Sequence, residues 1–496
     1  MFEVAETGQT LSKERFEEEV PPLRVALVNA QYDLREADFP VLVAIAGDDR
    51  LGAADVFNRL HEWMDARYLA SYAFAPLTPE EEIHPHFWRF WRALPARGEM
   101  GVFLGGWAQS PVARRLDGSL DAAGFDRWVD HVARFERALV EDGALLLKFW
   151  IHLPKREHEE QVAKARKGRG RTWRVDERDW RICDEYDALL PVAEEMVQRT
   201  TSAQAPWHLV EGTDDRHRDV FVARTLLESV TRRLGSAPRK TAAPTPAAPL
   251  PRTTPPHPNV LDAVDLSASV PYDDYKKRLE KLQRRLFKWV ERAGEAGLRS
   301  VLVFEGWDAA GKGGVIRRIT RALDARDYRV VPISAPTPEE ARHHYLWRFW
   351  RRVPVAGKVV IFDRSWYGRV LVERVEGYAA EAAWRRAYPE INDFEQQLVE
   401  ADSLVLKFWL HIDPEEQLRR FRAREHTGYK KYKITGDDYR NREKWDAYAA
   451  AVHEMVAATS TPEAPWHLVA AEDKRWARLR VIDTICDALK RSLKGR

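Results

Sequence analysis

The sequence predicts an α/β protein built twice in tandem, each copy a parallel sheet covered by helices. Trp88-Arg89-Phe90-Trp91 recurs as Trp347-Arg348-Phe349-Trp350, a shift of 259 (347 − 88). The same shift carries Lys148-Phe149-Trp150 onto Lys407-Phe408-Trp409 and residues 205–210 onto 464–469. A register held from about residue 40 to about residue 210 marks two homologous domains rather than a chance motif. In the second copy, apolar runs at 300–304, 358–362 and 403–410 alternate with helical stretches. That alternation is the pattern of a parallel sheet buried on both faces.

The first domain spans roughly residues 14–234 and the second roughly 272–494. Between them lies a linker, 235–271, whose stretch 237–258 is crowded with Pro, Ala and Thr. With almost no large apolar residue it cannot bury a core, so a semi-extended spacer is expected. The second domain opens on Leu279, Leu282 and Leu286 at helical spacing, an amphipathic helix. Ser300-Val301-Leu302-Val303-Phe304 then reads as a buried strand, followed by a glycine-rich loop and a helical stretch over 315–323. Strand, loop and helix in that order make a P-loop unit. The second apolar run ends at Asp363. Ligands of such folds sit at the carboxyl ends of the strands, where Gly306 and Asp363 fall.

Composition bounds the function. The chain has 496 residues, 45% hydrophobic and 31% charged, enough for two globular domains. No apolar run approaches the roughly 20 residues needed to span a bilayer, and residues 1–19 are acidic and polar, unlike a secretory signal. Cys183 and Cys486 do not occupy equivalent repeat positions, so a disulfide framework is not expected and a reducing cytoplasm is. A net charge of +2 argues against a duplex-coating protein. Any polyanion bound must therefore be held by a local patch, and neither nucleic acid nor a membrane is an expected partner; a homo-oligomer is possible.

Gly306-x4-Gly311-Lys312 fits the Walker A pattern up to its last position, where Gly313 and Gly314 stand instead of Ser or Thr. Backbone N–H groups of such a loop wrap phosphate oxygens at a helix N-terminus, and Lys312 can neutralise the transferring group. Magnesium then needs another oxygen. Asp308 within the loop and Asp363, in the Walker B position, are the available carboxylates. A tight turn that merely starts a helix is the alternative, and the first domain sharpens the contrast. There Lys312 becomes Ala53, Asp363 becomes Leu104, Arg364 becomes Gly105, and Gly313-Gly314 becomes Ala54-Asp55. Asp308 matches Asp49, which without its partners reads as a turn residue. The first domain is expected to have lost phosphoryl transfer.

Arg364 and Arg369 follow the Walker B carboxylate and could grip a nucleotide phosphate, since a guanidinium fork matches phosphate bidentately. For either, a structural salt bridge is the alternative. Glu373 and Glu376 read as partners of nearby arginines. Further on, Arg422, Arg424, Lys430, Lys431 and Lys433 lie in a basic stretch between helical segments, where small P-loop kinases carry a helical lid. A solvated charged face is the rival reading there. The aromatic tetrad invites a base-stacking role, but its twin in the other domain favours packing. His343 and His344 lack a Cys/His cluster, so zinc is not expected, and His411 and His467, paired with His152 and His208, read as structural.

Residues 306–314, Asp363-Arg364-Ser365-Trp366-Tyr367-Gly368-Arg369 and Lys430-Lys431-Tyr432-Lys433 resemble polyphosphate kinase family 2. The likeness covers essentially all of the second domain and, with degraded motifs, the first. The tandem arrangement is similar to the two-domain subclass, the polyphosphate:AMP phosphotransferases. The resemblance implies two P-loop kinase-like domains, each with a helical lid. It also implies magnesium-dependent transfer of the terminal phosphoryl group of inorganic polyphosphate to AMP, giving ADP. Carried over by position, Asp308 and Asp363 would organise Mg2+ and the attacking phosphate, and Lys312 would neutralise the migrating group. Arg364 would hold the nucleotide phosphate, with Arg422, Arg424 and Lys433 acting from the lid. A nucleoside-phosphate kinase using ATP, or a nucleotide-binding scaffold without turnover, are the rival readings.

Overall fold

The computed structural model describes residues 1–74, 77–166, 177–236, 259–425 and 436–494. Both chain copies build a five-stranded, all-parallel sheet flanked by helices. In the first copy these are β1 (Val41–Gly47), β2 (Leu69–Ala73), β3 (Met100–Leu104), β4 (Leu145–His152) and β5 (Trp207–Glu211), in the order β2-β3-β1-β4-β5. The second copy has β6 (Arg299–Gly306), β7 (Tyr328–Pro332), β8 (Val359–Asp363), β9 (Ser403–His411) and β10 (Trp466–Ala470), in the order β7-β8-β6-β9-β10. The two sheets thus share one topology.

The chain divides into two compact units. One comprises Met1–Pro76, Arg89–Ala242 and Pro338–His344; the other comprises Leu77–Trp88, Ala243–Thr337 and Tyr345–Arg496. The Pro/Ala/Thr-rich stretch 237–258 lies outside the described residues. No helix among the described residues is long and apolar enough to cross a membrane. Cys183 and Cys486 are both unbridged.

The central strands are buried along their length because helices cover both faces. Val301, Leu302, Val303 and Phe304 of β6 are all at most 1% exposed, as are Val41, Leu42 and Val43 of β1. The leucine-patterned helix runs Tyr272–Glu295, with Leu286 fully buried and Leu279 and Leu282 packed against Val270, Tyr275 and Leu479. The aromatic tetrad is core: Phe349 meets Phe362 and Trp366 edge-on, and Trp350 meets Phe394 at 4.9 Å. In the first copy Phe90 meets Trp107, and Trp91 meets Phe135, in the same way.

Each copy also buries the same ion pair. Lys148 donates to Glu136 at 2.7 Å and to the Thr200 carbonyl at 2.6 Å; Lys407 donates to Glu395 and the Thr459 carbonyl at the same distances. Burial alone would strip both charges, so each is tied to the other and to fixed dipoles.

β6 and β9 are neighbours whose following strands lie on opposite sides of the sheet. Such a reversal opens a crevice at the carboxyl end, and the glycine loop leaves β6 there.

Candidate active site

The loop between β6 and the helix Lys312–Thr320 holds its shape through three left-handed residues. Gly306 has φ +146°, Ala309 φ +63° and Gly311 φ +118°. At Gly306 a Cβ would lie 2.5 Å from the Leu410 carbonyl oxygen of β9, its register partner. Gly47 is under the same constraint, a Cβ there approaching the Ile151 oxygen to 2.0 Å. This first glycine therefore answers to strand packing in both copies. Gly311 differs: it meets nothing within 4 Å, and its backbone sets the helix N-terminus. Gly313 and Gly314 sit in the first helical turn without positive φ. Their missing Cβ atoms leave the amide end of the helix uncovered.

The Lys312 ammonium donates to the Gly306 carbonyl at 2.6 Å and to that of Trp307 at 3.3 Å, folding over the loop. Burial and the Arg364 cation pull it below the usual lysine range, while Asp308, Asp363 and Glu305 pull the other way. Asp308 accepts from Arg364 at 2.8 Å on one carboxylate oxygen and from Asn441 at 3.2 Å on the other. Its main-chain oxygen accepts from Gln417. Asp363 ends β8 opposite Phe304 of β6, which brings it beside the loop. Arg364, next in chain, stands at φ +66° with its amide bonded to the Phe304 oxygen at 3.0 Å. A non-glycine residue in that region is strained, and such strain gathers at functional sites.

Asp308, Lys312, Asp363 and Arg364 thus converge. Arg369 is engaged elsewhere: it pairs with Glu373 at 3.0 Å and lies over the Tyr345 ring at 4.6 Å. Glu376 is bound by Arg440 and Lys444. Arg422 is exposed and Arg424 half-buried on the helix Pro414–Glu425. Lys430, Lys431 and Lys433 lie outside the described residues.

Three further residues were not singled out in the sequence. Glu305, buried at the end of β6, accepts from the Ser365 hydroxyl at 2.8 Å. Burial pushes its carboxyl up, opposed by Lys312, the Ser365 hydrogen bond and Arg364. Arg420, 2% exposed, braces the back of the loop, donating to the Ala309 and Ala310 carbonyls at 3.1 and 2.9 Å. Trp307 stacks on Trp445 with centroids 3.6 Å apart and donates to His411 Nδ1 at 3.0 Å. His411 is pushed down to about 4 by burial. The repeat register was the available signal for the first two: Glu305 and Arg420 fall on Ala46 and Gln161.

A cavity beside these groups is lined by Glu305, Asp308, Arg364, Leu371, Asn441 and Tyr448, among others. A phosphate chain entering there would meet the Arg364 guanidinium, with the carboxylates of Glu305 and Asp308 alongside.

The first copy is built otherwise at the same place. Its helix Arg50–Trp63 begins at the position of Ala309, and Asp49 caps it, accepting from the Gly52 amide at 2.8 Å. Asp48 replaces Trp307 and is bonded by Trp150, His152 and the Leu153 amide.

Residues 10–237 and 269–496 each match the family Polyphosphate kinase 2 (PPK2). The chain is 46% identical over 495 residues to a Pseudomonas aeruginosa protein named polyphosphate:AMP phosphotransferase, covering 100% of this chain and 99% of that one. A protein of the same name from Acinetobacter johnsonii is 35% identical over 477 residues, covering 94% and 96%. A crystal structure described as a polyphosphate kinase 2 from Pseudomonas aeruginosa superposes with a TM-score of 0.89 at 44% identity and full coverage of both chains. Matched twice over by one family, and alike in sequence and fold along its whole length, the chain belongs to the polyphosphate kinase 2 family.

Proposed function

We propose that the protein transfers the terminal phosphoryl group of inorganic polyphosphate to AMP, giving ADP, and that the second copy performs the reaction. The carrying observation is the convergence of Lys312, Asp308, Asp363 and Arg364 on an N-terminal helix loop that the first copy lacks. The names of the full-length relatives supply donor and acceptor.

An AMP phosphate oxygen is already ionised, so no general base is required, and positioning and charge neutralisation dominate. Lys312 and the amides at the start of its helix neutralise the migrating group, and Arg364 orients the acceptor phosphate. Asp308 and Asp363 fit a magnesium ion. They are hard oxygen donors, the ligand type this cation takes. Two carboxylates with remaining positions left to water and phosphate suit Mg2+. When bound, the ion supplies charge neutralisation between donor and acceptor oxygens. Arg422 and Arg424 on the helix Pro414–Glu425, with Lys430, Lys431 and Lys433 following in sequence, add positive charge for the phosphate chain, whereas Arg369 is already paired with Glu373. The first copy serves as a non-catalytic partner.

Purified protein with AMP, Mg2+ and polyphosphate should form ADP, and omission of Mg2+ should abolish it. Formation of ADP with ATP but not polyphosphate would sink the donor assignment.

A further inference from the structure

Glu305 is a buried carboxylate in a site that must receive polyanions, so its presence calls for a reason. It is 5% exposed, and its bonding partner Ser365 is 1% exposed. Removing a carboxylate from water is costly unless opposite charge and hydrogen bonds in the folded state compensate it. Nothing in the sheet topology requires it, because the first copy builds the same strand with Ala46 at that position and Gly106 at the position of Ser365. Both partners are missing together in the copy that lacks Lys312 and Arg364.

The geometry shows what the pair connects. Glu305 precedes the glycine loop, and Ser365 follows Arg364. The Ser365 hydroxyl donates to Glu305 at 2.8 Å and accepts from the Tyr367 amide at 3.3 Å, starting the short turn Trp366–Arg369. One side-chain bond therefore ties the segment carrying Lys312 to the segment carrying Arg364. It also adjoins the strained Arg364 backbone, whose own amide is held by the Phe304 oxygen. In the first copy the corresponding chain is wound into the helix Gly106–Leu116 instead.

Charge points the same way. Lys312 and Arg364 are like charges facing one small site, and Arg364 is already engaged by Asp308 at 2.8 Å. In the proposed reaction Asp308 and Asp363 would hold Mg2+. Glu305 then remains as a buried counter-charge to Lys312 and Arg364.

We propose that Glu305 is a positioning residue for phosphoryl transfer: through Ser365 it fixes Arg364 relative to Lys312, and its charge holds the two cations together. This rests on the functional reading above. It makes an unusual demand on a variant. Glu305→Gln keeps the shape and the acceptor for Ser365 but removes a costly buried charge, so stability should be unchanged or higher while catalysis falls.

Wild type, Lys312→Ala, Glu305→Gln and Ser365→Ala are assayed together with polyphosphate and AMP, and their melting temperatures are measured. Glu305→Gln should lower kcat at least tenfold, leave KM for AMP within threefold and not lower the melting temperature. Ser365→Ala should lower kcat in the same direction by less, and Glu305→Asp, too short to reach Ser365, should not rescue. A Glu305→Gln enzyme within twofold of wild-type kcat overturns the proposal, as does a kcat loss matched by a lowered melting temperature. Failure of the functional reading looks different. Wild type would then be inactive with polyphosphate, and the same comparison would be run with ATP as donor.

Discussion

The Asp49 carboxylate accepts a hydrogen bond from the Gly52 amide at 2.8 Å, whereas its counterpart Asp308 turns away to Arg364 at 2.8 Å. The amides that await an anion in the second copy are met in the first by the chain's own carboxylate. Asp49 is buried, pushed up by that burial, and a Cβ on Gly212 would lie 2.7 Å from it. The cradle is filled. Lys312→Ala should accordingly lower kcat by about a hundred- to a thousandfold, and adding Ala53→Lys to that variant should restore nothing. ADP formation by the double variant at more than a tenth of the wild-type rate would contradict the account.

The glycines separate by the same logic. Gly306→Ala and Gly47→Ala each drive a Cβ into a backbone oxygen of the neighbouring strand, at 2.5 and 2.0 Å. Both should destabilise by at least about 2 kcal/mol in urea unfolding, although only one copy holds the phosphate loop. Gly311→Ala has open space and should fold, with a strain cost of about 1–3 kcal/mol from its left-handed backbone. Its loss should be in activity.

How much of this was legible in the chain depends on what sort of signal each part left. The buried strands β6, β8 and β9 announced themselves as unbroken apolar runs. β7, exposed at Arg329, Val330 and Pro332, gave no apolar run to recognise, and in β10, which has no exposed residue, His467 interrupts the run. In the site, Asp308, Lys312, Asp363 and Arg364 followed from motif spacing. Glu305 hid inside an apolar strand, and Arg420 inside a basic stretch that suggested a solvated face or a phosphate-binding lid. Its guanidinium is instead consumed by carbonyls, which only the fold brings within reach. The bonds made by Arg369 to Glu373 and Tyr345 likewise depend on three-dimensional neighbours rather than spacing.

The N-terminal strap of the first copy should respond to pH. Phe2 stacks on His152 at 4.8 Å, Glu6 meets His152 at 2.9 Å, and Glu211 accepts from the amides of Thr7, Gly8 and Gln9. Burial opposes a charged His152, but Asp48 and Glu6 outweigh it and hold its pKa above the ordinary value. Its contribution is complete below the unfolded value of about 6.5 and is lost as pH rises through the folded one. Asp48 is held well below the carboxylate range by the two histidines and the Leu153 amide, against burial. Its share is present above about pH 3.9 and lost on acidification. Amide exchange of residues 2–9, corrected for intrinsic rates, should therefore be slow near pH 6 and accelerate at alkaline pH. His152→Asn should flatten that profile, and an unchanged profile would refute the assignment.

The repeated pairs Lys407–Glu395 and Lys148–Glu136 make a matched prediction. Glu395 also accepts from Trp366 at 3.0 Å and from the Tyr367 hydroxyl at 2.7 Å. Lys407→Met strands that carboxylate and should cost about 3–5 kcal/mol. Lys407→Met with Glu395→Gln should recover most of it, since two neutral groups replace a buried pair. Because Lys148 and Glu136 are equally buried, Lys148→Met should destabilise comparably despite the missing phosphate loop. Chemical denaturation of the three variants checks this.

Arg420 offers the last test, because its bonds fix the direction of peptide groups. Its Nη1 donates to the carbonyls of Ala309 and Ala310, and its Nη2 to those of Ala471 and Glu472 at 2.6 and 2.8 Å. Its Nε is bonded to Glu416. Carbonyl and N–H point oppositely across a trans peptide, so holding the Ala310 carbonyl toward Arg420 turns the Gly311 amide toward the opposite side of the loop. There it joins the uncovered amides at the start of the helix Lys312–Thr320. The first copy has Gln161 at this position and no such loop. Arg420→Lys keeps the charge but cannot reach four carbonyls from one ammonium. It should raise the KM for polyphosphate by about tenfold, the equivalent of roughly 1.4 kcal/mol, with a smaller change in the KM for AMP. Equal increases for both substrates would mean that the whole site had loosened rather than the phosphate loop alone.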